Sequence, residues 1–235
     1  MVIDRGESLQ PQFRPASDRS LLICFGEQIT LEAHDSIRRL LRLLDLDPIP
    51  GIRNLHPAYC SLLITFDALQ WKHGELEAEL QRYLDRLENV SLPKPKQIDI
   101  PVCYGGDSGP DLSDVAAMHE LTPGQVIELH GSVTYVVYFL GFVPGFAYLG
   151  ELPKELGTTP RLQAPRRIVP AGSVGIAGNQ TGVYPFATPG GWRLIGRTPL
   201  AMFRPDRANM SLLNIGDHVR FFPISPEQFR TLEGA

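Results

Sequence analysis

Two hydrophobic periods alternate along this chain, and a stretch in which both vanish divides it. Residues 21–25 form a short apolar run and predict a strand. Behind it Ile37, Leu40, Leu41 and Leu44 fall at i, i+3, i+4 and i+7, with Arg38, Arg39 and Arg42 between them, the stripe of an amphipathic helix. Asp47-Pro48-Ile49-Pro50-Gly51 stops it. Residues 60–66 predict a second buried strand. Leu76, Leu80, Tyr83, Leu84 and Leu87 then give residues 75–87 one apolar face, a second helix, so the first part is a small α+β layer.

Around Pro93-Lys94-Pro95-Lys96 the periodicity vanishes and two prolines oppose helix, which marks a linker. Beyond it Ile98, Ile100 and Val102 alternate with Asp99 and Pro101, a half-exposed strand. Asp111 heads a helix to about Met118. Thr122-Pro123-Gly124-Gln125 is a capping box with proline at the first helical position, and Gly131 ends that helix. From residue 133 onward come only short strands between glycines and prolines, among them 167–169, 173–177, 192–195 and 218–222, the pattern of a β-barrel. The predicted organisation is an N-terminal tail (1–17), an α+β domain (18–90), a linker (91–97) and a barrel domain (98–235).

Composition changes this picture in one place. The chain is 43% apolar and 20% charged with formal charge −4, an ordinary globular balance that argues against a nucleic-acid binder. Glycine and proline total 43, and residues 131–200 hold 12 Gly and 8 Pro, in a stretch that also contains long apolar strings. Ordered backbone with unusual torsions is expected there. Residues 131–150 are uncharged, yet Gly141, Pro144 and Gly145 interrupt them, so a buried strand entering a tight loop is expected and no membrane span. Cys24, Cys60 and Cys103 form no Cys-x-x-Cys pair, and charges at Asp4, Arg5, Glu7, Arg14, Asp18 and Arg19 leave no apolar core for a signal peptide. A reduced, cytoplasmic protein is expected.

Several motifs lead nowhere. Gly106-Asp107-Ser108-Gly109-Pro110 is similar to the nucleophile segment of trypsin-like proteases, but no His-Cys segment precedes it and it reads as a turn. No Gly-Lys pair exists, which excludes a Walker A phosphate cradle. The six histidines show no His-x-x-x-His pair and no cysteine at ligand spacing, so no metal site is expected. His130, at the end of the capped helix, is open to two readings: interaction with the helix dipole, or a general acid/base.

Four blocks concentrate the chemistry: residues 141–149, 165–174, 177–185 and 189–199. Their glycines permit close approach to backbone, and Ser173, Asn179, Gln180 and Thr181 offer neutral donors and acceptors suited to an amide or lactam. Arg166, Arg167 and Arg197 can fork onto a carboxylate or phosphate, and Tyr148, Tyr184 and Trp192 can wall a cavity. Barrel corners explain single glycines and prolines; four such blocks together point to a ligand groove.

These blocks, with Pro101-Val102-Cys103-Tyr104-Gly105-Gly106 and His130, resemble the KipI/PxpB family, also called allophanate hydrolase subunit 1. The resemblance runs from Ser17 to Phe221. It departs at Thr188, where the family often has serine, and the tail to about Ala16 has no counterpart. It implies an α+β fold: a small α+β N-terminal domain followed by a cyclophilin-like β-barrel. It also implies a role as one subunit of ATP-dependent 5-oxoprolinase, which opens 5-oxo-L-proline to L-glutamate. The implied partners are a KipA/PxpC-like subunit and a LamB/YcsF-like PxpA subunit, with ATP at a site shared with a partner and Mg accompanying it. A sensor histidine kinase, inhibited by one family member, and urea or allophanate metabolism are the alternatives. Opening a resonance-stabilised lactam by water needs activation, which phosphorylation of the amide oxygen supplies. In that scheme His130 is the acid/base, Arg166 and Arg197 hold phosphate or carboxylate, and Gln180 and Thr181 meet the lactam. Phe142, Pro144, Gly145, Tyr148, Ser173, Tyr184, Gly190, Gly191 and Trp192 complete the expected groove.

Overall fold

The computed structural model describes residues 11–233. The chain divides after Lys94 into two compact units, within the Pro-Lys-Pro-Lys segment.

Unit 1 contains β1 (Gln12–Ser17), β2 (Ser20–Cys24), α1 (Leu31–Leu46), β3 (Ile52–Pro57), β4 (Ser61–Phe66) and α2 (His73–Leu84). The strands form one antiparallel sheet in the order β1-β2-β4-β3. The stripes read from the sequence meet it: Ile37, Leu40, Leu44, Leu76 and Leu80 share one core with Leu21, Ile23, Leu62 and Ile64. Thr30 caps α1, its Oγ1 accepting from the Ala33 N–H at 3.1 Å. Two strands depart from expectation. β1 occupies the last part of the expected tail, whose first ten residues lie outside those described. β3 is an edge strand whose Arg53, Asn54 and His56 are exposed, so its sequence lacks an apolar alternation.

Unit 2 contains β5 (Gln97–Tyr104), α3 (Leu112–Met118), α4 (Pro123–Ser132), β6 (Tyr135–Leu140), β7 (Ala147–Gly150), β8 (Arg166–Val169), β9 (Ser173–Ala177), β10 (Gln180–Val183), β11 (Thr188–Gly190), β12 (Arg193–Arg197), β13 (His218–Pro223) and α5 (Pro226–Glu233). Seven strands close a barrel in the order β10-β7-β6-β13-β5-β12-β9, while β8 and β11 form a separate ribbon. β13 and β5 run parallel and the other barrel neighbours antiparallel. The predicted capping box at the head of α4 is present, with the Thr122 N–H donating to Gln125 Oε1 at 2.8 Å. The uncharged run from 131 to 150 is the end of α4, then β6, a loop and β7. Among the described residues no helix is long and apolar enough to cross a membrane.

Two cores result. Val102, Tyr135, Val137, Leu149, Val174, Ile176, Ile195 and Phe221 belong to the barrel core. A smaller one of Phe146, Val169, Ala177, Tyr184, Trp192 and Leu194 forms beside it.

Candidate functional site

Three of the four glycine- and proline-rich blocks furnish the rings of this second core, and the fourth brings the β8 ribbon to it. The Phe146 ring lies at the centre, edge-on to Tyr148 at 5.0 Å, Tyr184 at 5.2 Å, Trp192 at 5.4 Å and Phe142 at 5.6 Å. Edge-to-face contacts at these separations are favourable beyond the area they bury. Tyr184 and Trp192 are buried, Tyr148 is half-buried, and Phe142 is 58% exposed in a left-handed backbone conformation (φ +67°). Pro144 is exposed on the same loop, and Gly145 is packed against Phe203. Gly190 lies so close to the Tyr184 hydroxyl that a Cβ there would overlap it. That hydroxyl accepts from the Trp192 backbone N–H; burial raises the phenol pKa above its usual range, partly offset by this bond and by Arg161 and Arg166. Burial does the same to Tyr148, again opposed by Arg161.

Arginines edge this cluster. Pairing of β8 with β11 sets Arg166 opposite Gly190. Its Nη2 donates to Asp111 Oδ1 at 2.7 Å, while Asp111 Oδ2 accepts from the Leu194 N–H at 2.7 Å. The Asp111 N–H in turn donates to the Leu194 carbonyl at 2.9 Å. The Gly106–Pro110 motif sets up this arrangement: a Cβ at Gly109 would overlap the Ile195 carbonyl, so glycine alone lets the turn lie against β12 and deliver Asp111. Arg166 Nη1 is buried and has no hydrogen-bond partner. Arg161 rides on a segment held by the Leu162 N–H on the Gly191 carbonyl at 2.8 Å and by Arg193 Nε on the Pro160 carbonyl at 3.3 Å. Arg193 also faces Asp114 at 3.8 Å.

The remaining expected residues lie elsewhere. His130, in the last turn of α4, is 0% exposed. Tyr104 Oη donates to its Nδ1 at 2.7 Å, and its Nε2 lies 2.9 Å from Thr181 Oγ1, which donates onward to the Gly175 carbonyl. That order requires a proton on Nε2. Tyr135 Oη donates to the His130 carbonyl at 2.9 Å, and Phe221 stacks on the ring at 4.6 Å. Burial lowers the His130 pKa to about 3, so the ring is neutral. A general acid/base needs an atom within reach of the substrate, and both nitrogens here are occupied inside the barrel. Thr181 is fully buried with it. Arg197 is at the opposite end of β12 from Arg193, paired with buried Ser173 in the sheet. Its Nε donates to the Ala171 carbonyl at 2.8 Å, its Nη2 meets Glu233 at 3.2 Å, and its guanidinium lies over Phe229. Gln180 is half-buried where β10 meets Gly150 of β7.

The structure therefore gathers Arg166, Tyr148, Tyr184, Gly190, Gly191 and Trp192, with Phe142 and its loop, and leaves His130, Thr181, Ser173 and Arg197 apart. It adds Asp111, Phe146 and Arg161. Asp111 had the appearance of a helix cap, although its side chain makes no cap bond; Arg161 sits in a segment with no pattern at all. The face does not by itself fit a triphosphate, since two of its three arginines already have carboxylate partners. Among the described residues no three His, Cys, Asp or Glu side chains gather as metal ligands. A hollow of about 700 Å³ in unit 1 is edged by Glu27, Glu32, Asp85 and Glu88, a charge that repels phosphate.

Fold and face together define a class of protein, a two-unit α+β chain in which a closed seven-stranded barrel presents an aromatic and arginine face. The chain belongs to the family described as carboxyltransferase domain, subdomain C and D, whose model matches residues 11–213, and within it to the KipI/PxpB proteins its blocks resemble. The match begins before β1, so the expected tail does have a counterpart from residue 11. The chain is 41% identical over 228 residues to the 5-oxoprolinase B subunit of Bacillus subtilis, covering 93% of this chain and 95% of that one. It is 49% identical over 205 residues to the 5-oxoprolinase B subunit of Escherichia coli O157:H7, covering 83% and 88%. The crystal structure of TTHA0988 superposes with TM-score 0.77 at 37% identity, over 88% of this chain and 40% of that longer one.

Proposed function

We propose that this chain is a subunit of an ATP-dependent 5-oxoprolinase (EC 3.5.2.9), which hydrolyses 5-oxo-L-proline to L-glutamate in the cytoplasm with KipA/PxpC-like and LamB/YcsF-like partners. The supporting observation is the 41% identity to a 5-oxoprolinase B subunit across 93% of this chain and 95% of that one. The face fits a share in that chemistry. Half-buried Tyr148 and exposed Phe142, backed by the buried rings of Trp192 and Tyr184, offer an apolar surface for a five-membered ring, and Arg166 offers a donor for its anionic group. The Tyr184 hydroxyl, already accepting from the backbone and kept protonated by burial, remains a donor. What the chain contributes is binding and orientation of the lactam, the entropic part of catalysis. The groups of the face that lack a charge partner are too few for ATP, so its phosphates and Mg are held mainly by a partner subunit.

Mixing purified subunits tests this. ATP-dependent release of glutamate and ADP from 5-oxoproline is expected only when the partners are present. Release by this chain alone, or none from the full mixture, overturns the assignment.

A further inference from the structure

We infer that Arg166 and Arg161 form a seat for one carboxylate, that of the lactam amino acid, and that Asp111 is the positioning residue that aims Arg166 into it. The inference rests on the proposed 5-oxoprolinase role and goes further, dividing the two substrates: the face takes the monoanionic lactam and leaves the triphosphate of ATP to another surface.

Three observations converge. The first is the division of labour within one guanidinium. Arg166 Nη2 is held at 2.7 Å by Asp111, while Nη1, on the same planar group, is buried with no acceptor. A buried N–H donor without a partner is costly, so natural proteins leave few of them. An oxygen brought by a ligand relieves this one.

The second is rigidity. Asp111 is buried and bound on both sides, by its carboxylate to the Leu194 N–H and by its own N–H to the Leu194 carbonyl. A side chain tied to β12 in this way fixes the direction of Arg166 before any ligand arrives. Such preorganisation lowers the cost of binding. It also gives a purpose to the Gly106–Pro110 turn, whose Gly109 lets Asp111 approach.

The third is charge. Asp111 pairs with Arg166 and Asp114 with Arg193, so three guanidinium groups and two carboxylates leave one net positive charge, that of exposed Arg161. Arg161 precedes Leu162, whose N–H donates to the carbonyl of Gly191 next to Trp192 at 2.8 Å, and its charge acts on both Tyr148 and Tyr184. Arg167, the next residue of β8, alternates to the opposite face of its strand. One positive charge matches one carboxylate. It does not match a triphosphate, which carries several negative charges.

The test is steady-state kinetics of the reconstituted complex, varying 5-oxoproline and ATP separately. Asp111→Asn, which keeps the shape but releases Arg166, is expected to raise KM for 5-oxoproline about tenfold, the usual scale for losing a charge-assisted contact. KM for ATP should stay within about twofold. Arg161→Gln, at an exposed position where folding is not at stake, should raise KM for 5-oxoproline about threefold, again without moving KM for ATP. If either variant raises KM for ATP, or if Arg161→Gln leaves both constants unmoved, the seat is wrongly assigned. Should Asp111→Asn fail to assemble, Arg161→Gln decides. A wild-type complex that makes no glutamate overturns the 5-oxoprolinase reading; an active complex with unmoved constants overturns only the carboxylate seat.

Discussion

The interior of the barrel buries His130 among aromatic rings and the face beside it half-buries Arg166 close to Tyr184, and the two finish the job differently. Around His130 every polar atom has a partner: Tyr104 on Nδ1, Thr181 on Nε2, Tyr135 on the carbonyl. Around Arg166 one buried nitrogen has none. Composition does not separate the two, for each combines a basic residue with tyrosines. Completeness does. A closed hydrogen-bond network holds strands and a helix together, whereas a network with one donor to spare, at a half-buried edge, is a place where a ligand adds the missing acceptor.

The largest effect that could break this comparison is on stability. His130→Ala removes a ring stacked on Phe221 and strands the Tyr104 hydroxyl, so a loss on the order of 3–5 kcal/mol is expected in urea unfolding. Acid sensitivity sharpens the point. The folded pKa is depressed to about 3 from an ordinary 6.5, so the unfolded chain takes up a proton that the folded chain refuses. The contribution of neutral His130 is therefore fully present above pH 6.5 and is lost as pH falls from there toward 3. His34, lowered to about 4 by burial, acts in the same direction, so the measurement is the difference between wild type and variant. Stability of His130→Ala should fall less steeply between pH 6 and 4. An unchanged slope would mean that solvent reaches the ring and would restore it as an acid/base candidate.

Where sequence reading succeeded and where it stopped follow the same division between local and distant causes. The α1 stripe and the Thr122 capping box are decided by residues three or four apart, and both stand. The aromatic face was readable too, because Phe142, Phe146 and Tyr148 lie within seven residues of one another and Trp192 follows two glycines. His130 was not, since its partners come from β5, β10 and β13, and only closure of the barrel brings Tyr104, Thr181 and Phe221 to one ring. Asp111 occupies a cap position, yet its carboxylate serves Arg166, 55 residues away. α5 escaped notice because Phe229 is its sole buried residue.

A smaller effect separates the pair from its surroundings. Arg166→Ala leaves the Asp111 carboxylate buried with only the Leu194 N–H, which should cost about 2 kcal/mol, less than a fully buried pair because Arg166 is partly exposed. Adding Asp111→Asn removes the stranded charge, so the double variant should be more stable than Arg166→Ala alone. Urea unfolding of the four proteins in this cycle gives the coupling directly. A double variant no more stable than Arg166→Ala would show that Asp111 does not depend on Arg166, and the contrast with the His130 network would lose one side.

The smallest effect concerns Arg197, which sequence reading placed beside Arg166 as a second anion binder. Both are strand arginines in glycine-rich blocks, and nothing in the pattern tells them apart. Their hydrogen bonds do. The Arg197 Nε donates to the Ala171 carbonyl, its Nη2 reaches Glu233, and the ring of Phe229 lies beneath it, so its contacts hold α5 to the barrel. The pair with Glu233 is half-exposed and worth little, and the carbonyl bond is worth about 1 kcal/mol. Arg197→Ala should therefore cost about 1 kcal/mol of stability, and amide exchange should quicken in residues 226–233. Turnover of the reconstituted complex should stay within about threefold, whereas loss of a group that stabilises reacting charge costs a hundredfold or more. A drop of that size with α5 still protected would move Arg197 to the same role as Arg166, and the ligand would then have to span both ends of β12.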